Sequence, residues 1–273
     1  MDASLAEQLL EEQHPALLDG PLKLVDEGWD NITYRVGAAF AVRLPRRKAS
    51  VQLALNEQRW LPVVAPWLDV AVPVPVGIGA PSSLFPWPWS VVQWIEGSTC
   101  DQEALAASEA GLLARVLRSL HRSSPPDAPP NPFRGVPLSS RQDVVEERLE
   151  RLRLNQLTPL WEQALATAPA RAAVWIHGDL HPRNVVVRDG ALAGIVDWGD
   201  MTAGDPATDL ACAWMLLDHR GRSELFDAYE PTSDERSRAI GWAVNFASAM
   251  MDSRHAKHTS IGHLIIERLL ASE

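Results

Sequence analysis

Cysteine and lysine are scarce in this chain, and each shortage narrows what it can be. The two cysteines in 273 residues, Cys100 and Cys212, lie far apart and form neither a disulfide framework nor the paired spacing of a metal or redox motif. The opening Met1-Asp2-Ala3-Ser4 lacks the basic-then-apolar pattern of a secretion signal, so a reducing cytoplasm is the expected compartment. Residues 60–80 form a long apolar stretch, but Pro62, Pro66, Pro73 and Pro75 with the charge of Asp69 exclude a membrane-spanning helix. A loop feeding an extended strand is expected there instead. No internal repeat is present. Basic residues are outnumbered, 25 Lys and Arg against 35 Asp and Glu, for a formal net charge of −10. That balance argues against nucleic-acid backbones as partners and suits a small cationic ligand. Only three lysines occur, Lys23, Lys48 and Lys257.

A hydrophobic content of 46% in a chain of this length is enough for a sizeable core in one large or two small domains. Residues 22–25, 32–36 and 39–44 read as strands joined by turns, with alternation in the third. A helix is expected over 51–60, and residues 90–95 read as a buried strand ending at Glu96-Gly97. From Asp101 the pattern turns helical: Leu105, Leu112, Leu113, Val116, Leu117 and Leu120 recur at helical spacing, with Asp101 as N-cap and an end near His121. Residues 123–137 hold six prolines and read as an irregular surface excursion. Further helices are expected around 144–154, 160–168, 207–217, 234–251 and 259–270.

The densest chemical signal is Trp175-Ile176-His177-Gly178-Asp179-Leu180-His181-Pro182-Arg183-Asn184, followed by Ile195-Val196-Asp197-Trp198-Gly199. Between them two β-branched runs flank Arg188-Asp189-Gly190, and Asp-Gly between apolar runs predicts a hairpin that carries Asn184 and Asp197 to one edge. A proton acceptor, an amide five residues on and a carboxylate after a short hairpin are the order that phosphoryl transfer needs, because positioning and charge neutralisation by Mg²⁺ do most of that work. On this reading Asp179 accepts a hydroxyl proton, while Asn184 and Asp197 hold Mg²⁺. A second reading takes His177, Asp179 and His181 as the H-x-D-x-H of a zinc hydrolase. It leaves Asn184 and Asp197 idle, and the histidines at 14, 121, 219, 255, 258 and 263 form no second cluster.

Both blocks resemble the aminoglycoside phosphotransferase family, small-molecule kinases whose fold is related to the eukaryotic protein kinases; its H-G-D-x-H-x-x-N and I-D-W/F stand here nearly unbroken. The resemblance implies an α+β, two-lobed, protein-kinase-like fold. Its small, mainly antiparallel-sheet lobe would span residues 1–97 and its larger, mainly helical lobe residues 98–273. It implies transfer from ATP or GTP to a hydroxyl of a small molecule, an aminoglycoside first and a macrolide second. A metabolite kinase for an amino alcohol, amino acid or sugar is the rival, and a non-catalytic nucleotide-binding protein is the reading from another class. Arg43 stands where the family pattern has lysine on the nucleotide phosphates, Ala41 shares its face against adenine, and Glu57 would be its partner. Gly28 falls in the phosphate-covering turn, and the Trp94 carbonyl and Ile95 N–H would meet the adenine edge. In Gly204-Asp205-Pro206-Ala207-Thr208-Asp209, Asp209 would tie the catalytic loop to a helix and Asp205 would cap that helix. Either a monomer or a homodimer fits this pattern.

Overall fold

The N-terminal sheet begins as alternation: Ile32, Tyr34 and Val36 are buried while their neighbours are not. The computed structural model describes residues 1–253 and 255–271. It divides into two compact units, Met1–Glu96 together with Ile195–Gly199, and Gly97–Gly194 together with the chain from Asp200 onward.

The first unit opens with a helix that periodicity had not marked, α1 (Ala3–Gln13), capped by the Asp2 carboxylate, which accepts the Leu5 N–H at 3.0 Å. Five strands follow, β1 (Leu22–Glu27), β2 (Asn31–Val36), β3 (Phe40–Pro45), then, after the helix α2 (Lys48–Val64), β4 (Pro75–Gly79) and β5 (Trp89–Gln93). They form one antiparallel sheet in the order β1-β2-β3-β5-β4. The core joins Ala6, Leu9 and Leu10 of α1 to Ile32, Tyr34, Val42, Leu44 and Trp89 of the sheet. Since successive side chains of a strand point to opposite faces, burying Val42 and Leu44 leaves Ala41 and Arg43 on the other face of β3.

The helix α2 corrects the expectation for the proline-dense stretch, because it runs through Pro62 to Val64. Proline deletes one helical N–H, here in the last turn. Leu61 and Val64 beside it are fully buried. Each such burial is worth about 1.5–3 kcal/mol, comparable with the roughly 3 kcal/mol that an interior proline costs. A 3₁₀ turn (Ala65–Trp67) then ends the helix.

The second unit contains β6 (Ser98–Thr99), α3 (Ala110–Leu120), α4 (Gln142–Arg151), α5 (Thr158–Leu165), β7 (Val174–Ile176), β8 (Val185–Arg188), β9 (Ala191–Ile195, its last residue grouping with the first unit) and β10 (Thr202–Gly204). The helices α6 (Ala207–Leu210), α7 (Cys212–Leu216), α8 (His219–Tyr229), α9 (Ser233–Asp252) and α10 (Ala256–Leu270) complete it. Asp189 and Gly190 both have positive φ, 54° and 77°, which is the turn geometry that the Asp-Gly pair implied. Asp101 does not cap a helix. The Glu103 carboxylate accepts the Gly190 N–H at 2.8 Å, and the Ala106 N–H donates to the Gly190 carbonyl at 2.9 Å, so tertiary bonds hold this segment out of the helix until Ala110. The expected helix over 207–217 is divided at Ala211, and α8 had no counterpart in the sequence reading. The 20-residue α9, started by a Thr232/Glu235 capping box, buries Trp242, Val244 and Phe246. Among the described residues no helix is long and apolar enough to cross a membrane.

Candidate active site

In the second unit β7 delivers the chain to His177-Gly178-Asp179. Asp209, fully buried at the start of α6, accepts the His177 N–H at 2.7 Å and the Gly178 N–H at 2.8 Å, one on each carboxylate oxygen. This is the tie that the sequence pattern implied. Gly178 has φ +85°, and a Cβ there would lie 2.8 Å from the Asp200 carbonyl oxygen, so the turn requires glycine. Behind Asp209, His121 spans its carboxylate (3.2 Å) and the Tyr229 hydroxyl (2.7 Å). Asp205 does accept an N–H at the start of α6, from Ala207 at 3.0 Å, and also forms a buried ion pair with Arg238 at 2.6 Å.

Asp179 sits at the centre of this turn. Its N–H donates to His177 Nδ1 at 3.2 Å, and its carbonyl accepts the Asn184 side-chain amide at 2.9 Å. His181 Nδ1 accepts the Arg183 N–H, which leaves the ring proton on Nε2, 3.4 Å from Asp179 Oδ2. Arg134 Nη2 donates to Asp179 Oδ1 at 2.6 Å. Burial alone would push the Asp179 carboxyl up, but the Arg134 guanidinium and then His181 outweigh it and hold the group well below the usual carboxylate range.

Arg134 was not among the residues singled out by sequence. It comes from the proline-rich excursion, which is irregular but not loose. The Asn131 side-chain amide donates to the Asp200 carbonyl (3.1 Å) and carboxylate (2.8 Å), and its Oδ1 accepts the Phe133 and Arg134 N–H groups at 2.9 and 3.1 Å. Gly135, at φ +65°, accepts the Asp205 N–H at 3.0 Å. The only signal in the sequence was an Asn-Pro-Phe-Arg-Gly run, a turn signature that does not say what the arginine meets.

In the first unit Arg43 is gripped from two sides. Its Nη1 donates to both Glu57 oxygens at 2.5 and 2.6 Å, and Nη2 donates to Asp197 Oδ1 at 2.7 Å. Arg43 is 13% exposed and Glu57 7%, whereas Asp197 is 46% exposed. Burial would lower the Arg43 pKa, but Glu57 and then Asp197 raise it further, so the guanidinium stays charged. Asp197 adopts a left-handed backbone, φ 61°, in a segment tied down by the Ile195 N–H to the Ala71 carbonyl at 3.0 Å. The Arg43–Glu57 contact was expected; the Arg43–Asp197 contact was not.

The other expected nucleotide contacts are placed as follows. The Gly28 N–H is taken within its own hairpin by the Asn31 carbonyl at 3.0 Å, and the Gly28 carbonyl accepts from Arg46 at 2.5 Å. Trp29 beside it is 76% exposed. Trp94 donates its N–H to the Ala39 carbonyl at 2.8 Å and lies under the Arg35 guanidinium, 4.8 Å from the ring centroid, with half-buried Ile95 next.

Magnesium takes hard oxygen ligands. The Asn184 amide uses its nitrogen on the Asp179 carbonyl, which turns its oxygen away from that bond, and Asp197 is a half-exposed carboxylate, so each supplies suitable donor chemistry within its own unit. The zinc reading fares differently: His177 Nδ1 and His181 Nδ1 both accept backbone N–H groups. Among the described residues no group of three or more His, Cys, Asp or Glu is arranged to hold a metal ion.

The chain is 27% identical over 168 residues to viomycin phosphotransferase of Streptomyces vinaceus, an alignment covering 53% of this chain and 55% of that protein. It spans about half the length of the curated relatives it matches. Among solved structures, the GDP and kanamycin complex of the aminoglycoside phosphotransferase APH(2")-IIIa superposes with a TM-score of 0.74 at 18% identity, over 98% of this chain and 99% of that one. The macrolide 2'-phosphotransferase MphH from Brachybacterium faecium superposes with a TM-score of 0.63 at 20% identity, over 97% of both chains. At such identities the likeness shows the fold, which is kinase-like, with an antiparallel-sheet N-terminal unit and a helical C-terminal unit. The profile of the phosphotransferase enzyme family matches residues 21–241, and the chain therefore belongs to that family, APH.

Proposed function

We propose that this protein transfers the γ-phosphoryl group of ATP or GTP to a hydroxyl of a small molecule. The observation that carries the reading is the turn at Asp179: its backbone is held by buried Asp209, and its carbonyl orients the Asn184 amide. In this reading Asp179 accepts the hydroxyl proton, Asn184 and Asp197 are the metal-binding groups, and bound Mg²⁺ supplies charge neutralisation on the phosphates. Arg43, held by Glu57, grips the donor phosphates through its remaining donors. Ala41 lies against the base, and the Trp94 carbonyl with the Ile95 N–H recognises the base edge. Gly28 and its neighbours cover the phosphates through N–H groups other than that of Gly28.

Solved structures of similar fold are complexes with GDP, ADP or ATP, which supports a nucleotide donor. The aminoglycosides bound in such complexes include kanamycin, gentamicin and streptomycin, and other structures of similar fold are macrolide phosphotransferases. By likeness an aminoglycoside is the first acceptor to test and a macrolide the second, with a hydroxylated metabolite as the alternative. The protein would act in the cytoplasm as a monomer or homodimer. The test is Mg²⁺-dependent nucleotide consumption over a panel of aminoglycosides, macrolides and small hydroxylated metabolites. Acceptor-dependent turnover that vanishes in Asp179→Asn supports the reading, and turnover that survives it overturns it.

A further inference from the structure

The charges around Asp179 run opposite to those of the whole chain. The protein carries a net −10, yet its catalytic carboxylate faces Arg134 at 2.6 Å and His181 at 3.4 Å. On the side of Arg134 a further guanidinium follows. Arg134 stacks 5.0 Å over Phe246 of α9, and Arg141 stacks 5.6 Å over Phe133, the residue preceding Arg134. The Nε of each arginine is buried without a hydrogen-bond partner among the described residues. Arg148, the next cation, is matched by Asp252 at 3.5 Å, whereas no carboxylate pairs with Arg141 among the described residues. Burial pushes the Arg141 guanidinium down, and the charges of Arg148 and Arg134 push it further the same way.

Of these two like charges, one is mounted on a loop that Asn131 pins in four hydrogen bonds and the other has no carboxylate partner among the described residues, so their repulsion is borne at a cost. The planar guanidinium of Arg141, unmatched by a carboxylate among the described residues, fits a carboxylate or phosphate through two parallel N–H donors. Position narrows the source. The donor phosphates have Arg43, in the other unit, whereas a group touching Asp179 Oδ1 stands where the acceptor hydroxyl must come. Arg134 in its resting position therefore occupies a lone pair that the reaction needs, and an anion on the incoming molecule would draw it aside.

We propose that Arg134 and Arg141 form an anion-receiving subsite beside Asp179, and that the acceptor carries a carboxylate or phosphate group near its reacting hydroxyl. The second clause rests on the phosphotransferase reading; the subsite itself does not. It turns the choice of acceptor away from bare polycations and toward hydroxylated acids, sugar phosphates or antibiotics that bear an anionic group.

The experiment has a binding arm and a kinetic arm. Inorganic phosphate is titrated calorimetrically into the full chain saturated with Mg²⁺ and a non-hydrolysable ATP analogue. Saturable binding is expected, weakened at least about 10-fold in Arg141→Gln and in Arg134→Gln and partly restored in Arg141→Lys, with thermal unfolding used to verify that each variant is folded. No binding to the parent, binding untouched by these changes, or phosphate displaced by the nucleotide analogue would each overturn the subsite. In the kinetic arm hydroxy acids and sugar phosphates are compared with kanamycin. Arg141→Gln should raise the acceptor KM about 10- to 100-fold while the nucleotide KM moves less than about 2-fold. Preferred turnover of kanamycin, indifferent to Arg141→Gln, overturns the acceptor proposal and leaves the kinase reading standing. Phosphate binding as expected, with no acceptor-dependent turnover of any compound, supports the subsite and removes the kinase reading instead.

Discussion

Each unit of the molecule is organised around one arginine against a carboxylate that matters, and the two arrangements differ in balance. In the first, Arg43 lies between Glu57 and Asp197, two acids for one guanidinium, and is nearly buried. In the second, Asp179 lies between Arg134 and His181, with Arg141 beyond, so that bases outnumber the acid they face. A cation with two acidic partners is locked, and removing the arginine leaves the buried Glu57 charge uncompensated. An acid shared between a guanidinium and an imidazole N–H is not closed by matching charges in this way. On the reading proposed above, the first arrangement holds its shape through the reaction and the second changes partners during it.

Breaking the second arrangement at its centre should have the largest effect. Asp179→Asn keeps the shape and removes the proposed proton acceptor, and kcat should fall by about 10²–10⁴ while nucleotide affinity, measured by equilibrium binding, stays within a few-fold. A variant that retains more than roughly a tenth of parental turnover would show that Asp179 is not the base.

Next comes the support beneath it. Asp209→Ala strands two buried N–H groups of the turn before Asp179, each costing about 1–3 kcal/mol, so denaturant unfolding should report a loss on the order of 3 kcal/mol. If stability is unchanged, the turn holds itself and the carboxylate only fills space.

The first arrangement should yield less. Arg43→Met is expected to lower kcat/KM for nucleotide roughly 10- to 100-fold, and Arg43→Lys should recover part of it because the charge survives on the same strand face. Glu57→Gln should shift the same parameters, and its effect should shrink in the Arg43→Met background because the two act as a unit. Strict additivity in that double-mutant cycle would mean that the Arg43–Glu57 pair is not coupled to nucleotide use.

The smallest change tests whether Arg134 is held in place. Asn131→Ala releases the loop from Asp200 and should cost about 1–2 kcal/mol in thermal unfolding, with a rise in acceptor KM and little change in nucleotide KM. An equal rise in both constants would indicate general loosening rather than loss of a positioned arginine.

Residue spacing alone marked the N-terminal strands and the Asp189-Gly190 turn, while the family resemblance implied the Arg43–Glu57 contact and the Asp209 tie. In each case the partners sit on regular elements or in a fixed motif, where period 2, period 3.6 or a required positive φ dictates which way a side chain points. Other features were decided only when the chain folded. Pro62 stayed in a helix because Leu61 and Val64 are buried beside it, and Asp101 lost its cap because Glu103 and Ala106 bond to the β8–β9 turn instead. The charge around Asp179 is the largest such case. A net of −10 is a sum over the whole chain, but the field at one carboxylate falls off with distance and is set by the few groups within several ångströms. Which groups those are depended on an irregular, proline-rich segment whose path no periodicity encodes and whose four Asn131 hydrogen bonds exist only in the folded protein.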